Sequence, residues 1–267
     1  LHLSLRRQRQ MCIRDRIKTG VMRIPRVFHS GVKIGEELEL GRESFGHVVR
    51  VLRKSVGDAV IILDGVGGIY RGEILSIRAS EESFRVRVAS HDDQESYPTL
   101  PLGVAVGIPR GDGLDVAIRQ ASETGLEWIQ PLITERTVAR PRGRNKIERW
   151  QRIAIESAEQ CRRHRPIEVR EPLEWSVFLE GDAPVRHGWI AVPGAEHPAE
   201  GGFLEALRNR ESCEVLIGPE GGFSTGETHA AIERGYQPLG FPTPVLRTPT
   251  AVIYLAAVAS FFPGTDS

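Results

Sequence analysis

Residues 215–224 read Val-Leu-Ile-Gly-Pro-Glu-Gly-Gly-Phe-Ser, and residues 245–251 read Val-Leu-Arg-Thr-Pro-Thr-Ala. The first string has the pattern of a buried strand that passes through a glycine turn into a helix. Gly221 and Gly222 carry no Cβ, so they permit positive φ and close backbone approach. Ser224 and Glu227 have the spacing of a capping box, and Gly235 is placed to end the helix which that box would start. The second string opens a long apolar run, with Pro249 in the first helical turn, where a fixed φ suits it. Two strand-to-helix junctions side by side form a wall of backbone amides and carbonyls suited to a nucleoside-like ligand. Alone, the glycine turn fits equally well a tight connection that binds nothing. A phosphate loop is disfavoured, because the Gly-Lys-Ser/Thr ending is missing.

Upstream of this stretch the chain alternates strands and helices. Strands are predicted at 102–108, 128–133, 189–192 and 215–217. Helices are predicted at 112–124, stopped by Gly125, and at 145–163, with Asn145 and Glu148 as its cap. This alternation predicts a mostly parallel sheet covered by helices. Residues 23–97 read differently, as short strands at 59–63, 69–77 and 84–88 that predict a small β-barrel. The Gly-x-Gly-Gly at 65–68 lacks the third glycine and the following helix of a dinucleotide fingerprint, so it reads as a hairpin turn. The polar stretch 91–101, with Pro98 and Pro101, is the predicted linker. The predicted domains are thus 22–95 and 98–264. Residues 1–21 carry six basic residues and one acid without an apolar period, and are expected to be a non-native or disordered extension before a domain starting at Met22.

Composition narrows the class. Lys+Arg and Asp+Glu balance at 35 each, so any nucleic-acid surface must be local. Cys12, Cys161 and Cys213 are odd in number and widely spaced, which argues against a disulfide framework or a zinc site and points to a cytoplasmic protein. The apolar run 251–262 is too short to span a bilayer and reads as a buried helix. Residues 136–170 hold eleven Lys/Arg against four Glu, and a second basic cluster gathers Arg23, Arg26, His47, Arg50 and Arg53. Each could be a solvated face, but two such surfaces in a neutral chain favour RNA or DNA. Arg247 is the one charge between Arg234 and Asp266. Among apolar neighbours it is expected to meet a carboxylate, a phosphate or a base edge, with an ion pair to Glu220 as the plainer alternative.

These strings together resemble a known family. Arg-Ile-Pro-Arg-Val-Phe (23–28), His-Val-Val-Arg-Val-Leu-Arg (47–53), Arg-Gly-Asp-Gly-Leu-Asp (110–115), Ile-Gln-Pro-Leu-Ile-Thr-Glu-Arg (129–136), Ala-Glu-Gln-Cys-Arg-Arg (158–163) and the two C-terminal junctions follow one another as in the bacterial 16S rRNA uridine-N3 methyltransferases of the SPOUT superfamily. The resemblance implies an α/β protein: an N-terminal PUA-like β-barrel followed by a SPOUT-type domain with a deep C-terminal trefoil knot, working as a homodimer. It implies S-adenosyl-L-methionine as cofactor, held around Leu216, Gly218, Gly221, Gly222, Gly240, Leu246 and Thr248. It implies small-subunit rRNA as partner, gripped by Arg23, Arg26, Arg50, Arg53, Arg140, Arg162 and Arg163, with no metal and no membrane. The implied reaction is methylation of N3 of one uridine, uracil 1498. Arg247 is the candidate to stabilise the developing uracil anion, and Glu220 and Glu123 are candidates for the base. The chain departs from the family pattern at Pro249, usually Glu, at Val245, usually basic, and at Arg119-Gln120 and Thr124. Two rivals remain open: an RNA-binding or ribosome-assembly protein on the same fold without transfer, and a methyltransferase of this class with another RNA target.

Overall fold

A computed structural model describes residues 24–92, 99–138, 140–141, 144–181, 187–195 and 202–262. The expected extension 1–21 and Arg23 lie outside the described residues. The described residues divide by packing into two compact units, one within residues 1–62 and 69–92, the other within residues 63–68 and 93–267.

The first unit is built on a five-stranded sheet in the order β1-β3-β4-β5-β2. Its strands are β1 (Arg26–Phe28), β2 (Glu37–Leu40), β3 (Ala59–Leu63), β4 (Ile69–Arg78) and β5 (Ser83–His91). β5 runs antiparallel to both β2 and β4. Apolar residues alternate inward along β5, where Phe84, Val86 and Val88 are buried with Leu38, Leu40, Ile62 and Ile74. The 65–68 glycines do make the hairpin turn between β3 and β4. Asp64 Oδ1 accepts the Val66 and Gly68 amides at 2.9 and 2.8 Å, an Asx turn that fixes the reversal. A short helix α1 (Arg42–Phe45) runs directly into a π-helical segment, Gly46–Val51, which drops Phe45 and Val48 into the core.

The second unit carries a seven-stranded sheet in which every pairing is parallel. Its strands are β6 (Leu100–Gly107), β7 (Leu126–Ile133), β8 (Glu168–Val169), β9 (Leu173–Glu174), β10 (Gly188–Ala191), β11 (Cys213–Ile217) and β12 (Gln237–Leu239). The order is β12-β10-β11-β6-β7-β8, with β9 also on β7. β6 and β11 are central and read as near-continuous apolar runs, because helices cover both of their faces.

The helices are α2 (Gly113–Thr124), α3 (Arg144–Cys161), α4 (Trp175–Leu179), α5 (Phe203–Arg208), α6 (Thr225–Glu233) and α7 (Thr248–Ser260). α2 buries Leu114, Ala117, Ile118 and Ala121, an i, i+3, i+4, i+7 stripe, in a common core with Ala251, Val252, Leu255, Ala256 and Ala259 of α7. Each large side chain so buried contributes about 1.5–3 kcal/mol. Gly125 at φ +88 ends α2, a left-handed position that only glycine takes cheaply. Trp150 of α3 is wholly buried, and its Nε1 donates to Asp115 Oδ1 of α2 at 3.0 Å, which pins the two helices in register.

Two local expectations give way. Asn145 lies inside α3, which already begins at Arg144, so it does not occupy the cap position. Pro101 belongs to β6 rather than to a linker, and residues 93–98 lie outside the described residues. Among the described residues no helix is long and apolar enough to cross a membrane. None of the described His, Cys, Asp and Glu residues gather into a group that could hold a metal ion.

Candidate functional site

In a parallel sheet all strands deliver their C-terminal ends to one edge, and ligands settle in the crevice where the strand order reverses. Here the chain leaves β6 toward β7 on one side and later returns as β11 on the other. The glycine turn lies at that reversal. Gly107 ends β6 so close to it that a Cβ there would stand 2.4 Å from Pro219 Cδ. Gly218 is closely packed too, since a Cβ would come within 2.9–3.0 Å of the backbone of Gly222 and Phe223. The turn closes with Gly222 N–H donating to Pro219 O at 2.8 Å, and Gly222 takes φ +70.

The capping box marked in the sequence forms at the far end of this turn. Ser224 Oγ accepts the Glu227 amide at 3.2 Å, Glu227 Oε2 accepts the Ser224 amide at 2.8 Å, and α6 starts there. Gly235, at φ +106, comes directly after Arg234, the C-cap of that helix. The second junction meets the first: Thr248 Oγ1, at the start of α7, donates to Gly218 O at 2.9 Å. Pro249 occupies the first turn of α7, as its lack of an N–H allows.

The other expected residues take varied places. Leu216 is interior to the sheet, paired with Ile190 and Ala105, and its side chain is core. Gly240 is buried just past β12, and Leu246 packs partly buried on the main core. Arg247 does not sit among apolar neighbours as expected. It is exposed at the N-cap of α7, and no ion pair to Glu220 forms. The Glu220 carboxylate instead accepts the Arg110 backbone N–H, at 3.0 and 3.2 Å from its two oxygens. Glu123 is exposed on α2.

One wall escaped the sequence reading. The loop after β7, residues 134–137, reaches across to the turn, where Arg136 Nη1 donates to Gly221 O and its Cδ stands 3.1 Å from where a Gly221 Cβ would be. Glu227 Oε1 accepts the Glu135 amide at 2.7 Å. The signals in the sequence were that Arg136 heads the basic stretch and closes the 129–136 string shared with the family, neither of which points to the glycine turn.

The basic residues divide by environment. Arg163 has a place different from that expected of an RNA contact: it is buried, donates to Thr99 Oγ1 at 3.2 Å, and burial lowers its pKa. Arg162 is exposed in the left-handed region at φ +67, just past α3. Arg140 is exposed and pairs with Glu174 at 2.8 Å. In the first unit Arg50 pairs with Glu82 and lies over the Phe45 ring, Arg42 shares the same carboxylate at 2.6 Å, and Arg26 is half-buried. Arg53 is exposed at φ +53.

Away from the turn, burial raises the Glu214 carboxyl, although the Tyr236 hydroxyl that donates to it works in the opposite direction. Burial pushes the Cys213 thiol to about 12.

Comparison with known proteins agrees with this geometry. Residues 95–260 match a family model described as an RNA methyltransferase domain, and residues 40–88 match an RNA methyltransferase PUA domain. A ribosomal RNA small subunit methyltransferase E of Synechocystis is 35% identical over 206 residues, covering 77% of this chain and 66% of that protein. The protein of the same description in Bacillus subtilis is 27% identical, covering 82% and 88%. A Legionella pneumophila protein solved in complex with the bound cofactor SAM superposes with a TM-score of 0.80 at 28% identity, covering 90% of this chain and 98% of that one. With its catalytic-domain model matched over more than half its length, the chain belongs to the RNA methyltransferase family, and it carries that family's PUA domain.

Proposed function

We propose that this protein transfers the methyl group of S-adenosyl-L-methionine to N3 of one uridine, uracil 1498, of 16S rRNA in the small ribosomal subunit. The observation that carries the reading is the bond from Thr248 Oγ1 to Gly218 O, which joins the two junctions into one wall at the strand reversal. The residues present fit the cofactor. Gly221, Gly222 and the buried Gly240 carry no Cβ of their own to obstruct an adenine edge, although the Gly221 carbonyl is already bonded to Arg136 and the Gly222 amide to Pro219. Leu216 packs beneath, and Leu246 and Thr248 close the other side. The cofactor supplies an already activated methyl group on a sulfonium, so the protein's task is chiefly alignment and proton removal.

Arg247, exposed at the wall and without an ion-pair partner among the described residues, is placed to offset the negative charge that grows on the uracil oxygens. Glu220, on the cofactor turn, is the nearest candidate to accept the imide proton, and its bond to the Arg110 amide fixes its carboxylate. The target base must be unpaired or flipped out to reach such a site. Arg26, Arg50, Arg53, Arg140 and Arg162, together with Arg23, are the proposed rRNA contacts; Arg163 is left out because it is buried. A trefoil knot in the second unit, a homodimer and a cytoplasmic location belong to the same proposal, supported by the family match.

The test is transfer from labelled S-adenosyl-L-methionine to purified small subunits, with the product nucleoside identified. N3-methyluridine at a single position supports the reading. A protein that binds the cofactor yet methylates another RNA, or one that binds no cofactor at all, refutes it.

A further inference from the structure

Glu227 does more than its capping-box role requires. Its carboxylate is buried, and the two oxygens serve different segments. Oε2 accepts the Ser224 amide at 2.8 Å, as the box demands, while Oε1 accepts the Glu135 amide at 2.7 Å from the loop after β7. Such short bonds to a carboxylate are roughly twice as strong as neutral ones. The loop they hold is internally stiff: Thr137 Oγ1 accepts the Thr134 amide at 2.9 Å, and the Thr137 amide returns to Thr134 O at 3.1 Å. The next residue along from Glu135 is Arg136, whose guanidinium donates to Gly221 O. A chain of three links therefore runs from Glu227 through Glu135 and Arg136 to the carbonyl of the glycine turn.

We infer that Glu227 is a positioning residue for the methyl donor: it sets the 134–137 loop, the loop sets Arg136, and Arg136 fixes the orientation of the Gly221 peptide. This rests on the reading that the turn holds S-adenosyl-L-methionine. Glu227 itself touches no ligand in this scheme. The Gly221 C=O shares its peptide plane with the Gly222 N–H, which donates to Pro219 O at 2.8 Å; Arg136 holds the opposite, carbonyl end of that plane, and the two bonds together fix which way it faces.

Three variants separate this role from plain helix capping. Glu227→Gln keeps the size and one acceptor oxygen but must turn an amide NH2 toward one of the two backbone donors. Ser224→Ala removes the cap oxygen from the Glu227 amide and leaves the Glu135 bond intact. Arg136→Ala removes the last link. Titration calorimetry with S-adenosyl-L-methionine should show Kd raised about tenfold or more in Glu227→Gln and Arg136→Ala, and within about twofold of wild type in Ser224→Ala. The double variant Glu227→Gln/Arg136→Ala should bind no worse than the weaker single variant, since both cut one chain. Additive losses in the double variant, or equal Kd changes in Glu227→Gln and Ser224→Ala, overturn the inference. If wild type binds and Glu227→Gln binds equally, the clamp alone falls. If wild type binds no S-adenosyl-L-methionine, the function proposed above falls and takes the clamp with it.

Discussion

Gly218→Ala isolates the steric argument for the cofactor turn. A Cβ on Gly218 would lie 2.9 Å from both the carbonyl carbon and Cα of Gly222, and 3.0 Å from the Phe223 amide nitrogen. Carbon pairs rest at about 3.5–4.0 Å, so the overlap is roughly 0.6–1 Å. The neighbours are backbone rather than the ends of flexible side chains, so the turn itself must move. Overpacking of this kind costs about 1–3 kcal/mol. For a unit of this size that corresponds to a fall in Tm of about 2–4 °C per kcal/mol. Displacing the turn by the same distance should also misalign the amides of Gly221 and Gly222, and Kd for S-adenosyl-L-methionine should rise at least about tenfold. Gly226→Ala is the control. It lies in the first turn of α6, where an added Cβ meets only Ser224 Oγ at 3.9 Å, and alanine is the better helix former by about 1 kcal/mol. Its Tm should hold or rise and its Kd should not change. Differential scanning calorimetry and titration calorimetry on the two variants decide the matter. A Gly218→Ala protein with wild-type Tm and wild-type affinity would refute the close packing of the turn and its role in binding together.

Arg247→Ala should leave Tm and cofactor affinity near wild type but slow methyl transfer about 100-fold, the loss typical of one charge-stabilising donor; single-turnover transfer with labelled cofactor measures it, and an unchanged rate removes Arg247 from the mechanism. Asp115→Ala strands the Trp150 indole N–H in the core and should cost about 1–3 kcal/mol in urea unfolding, whereas Arg149→Ala, an exposed partner of the same carboxylate, should cost at most about 1. Glu214, whose carboxyl is raised by burial, holds its proton more tightly folded than unfolded. Stability should therefore fall as pH rises from the ordinary carboxylate range through its raised value, and Glu214→Gln should flatten that part of the pH profile of Tm. Cys213, with its thiol pushed to about 12, should resist iodoacetamide at neutral pH until the protein unfolds, as mass spectrometry of labelled peptides would show.

Much of the fold was legible because local chemistry and tertiary packing agree. The capping box at Ser224 and Glu227, the stop at Gly125 and the hairpin at 64–68 each follow from bonds within a few residues, and the structure forms all of them; the strand expected at 215–217 follows from its apolar run and spans 213–217. Asn145 shows where this fails. Its spacing to Glu148 suits a cap, but α3 already begins at Arg144, which puts Asn145 inside the helix, while the bond from the buried Trp150 to Asp115 holds that helix from the side. Pro101 fails likewise: the proline suggests a loop, yet β6 runs through it, with Leu100 and Leu102 buried on either side.

The sequence by itself determined the longer elements, the glycine turn and the family, since these rest on short-range spacing and on the order of motifs, while short pieces such as Glu37–Leu40, Glu168–Val169 and Trp175–Leu179 carry too little pattern to be read. Only the tertiary structure decided which charges are used and for what. Arg162 and Arg163 are adjacent in sequence, yet one is exposed and the other is buried against Thr99, because the chain turns through positive φ between helix and loop. Arg136 and Gly221, on two walls of one site, are 85 residues apart, and no local rule could bring them together. Parallel strands deliver distant loops to a single edge, so the meeting of Thr248 with Gly218, and of Glu227 with Glu135, is a property of the sheet order alone.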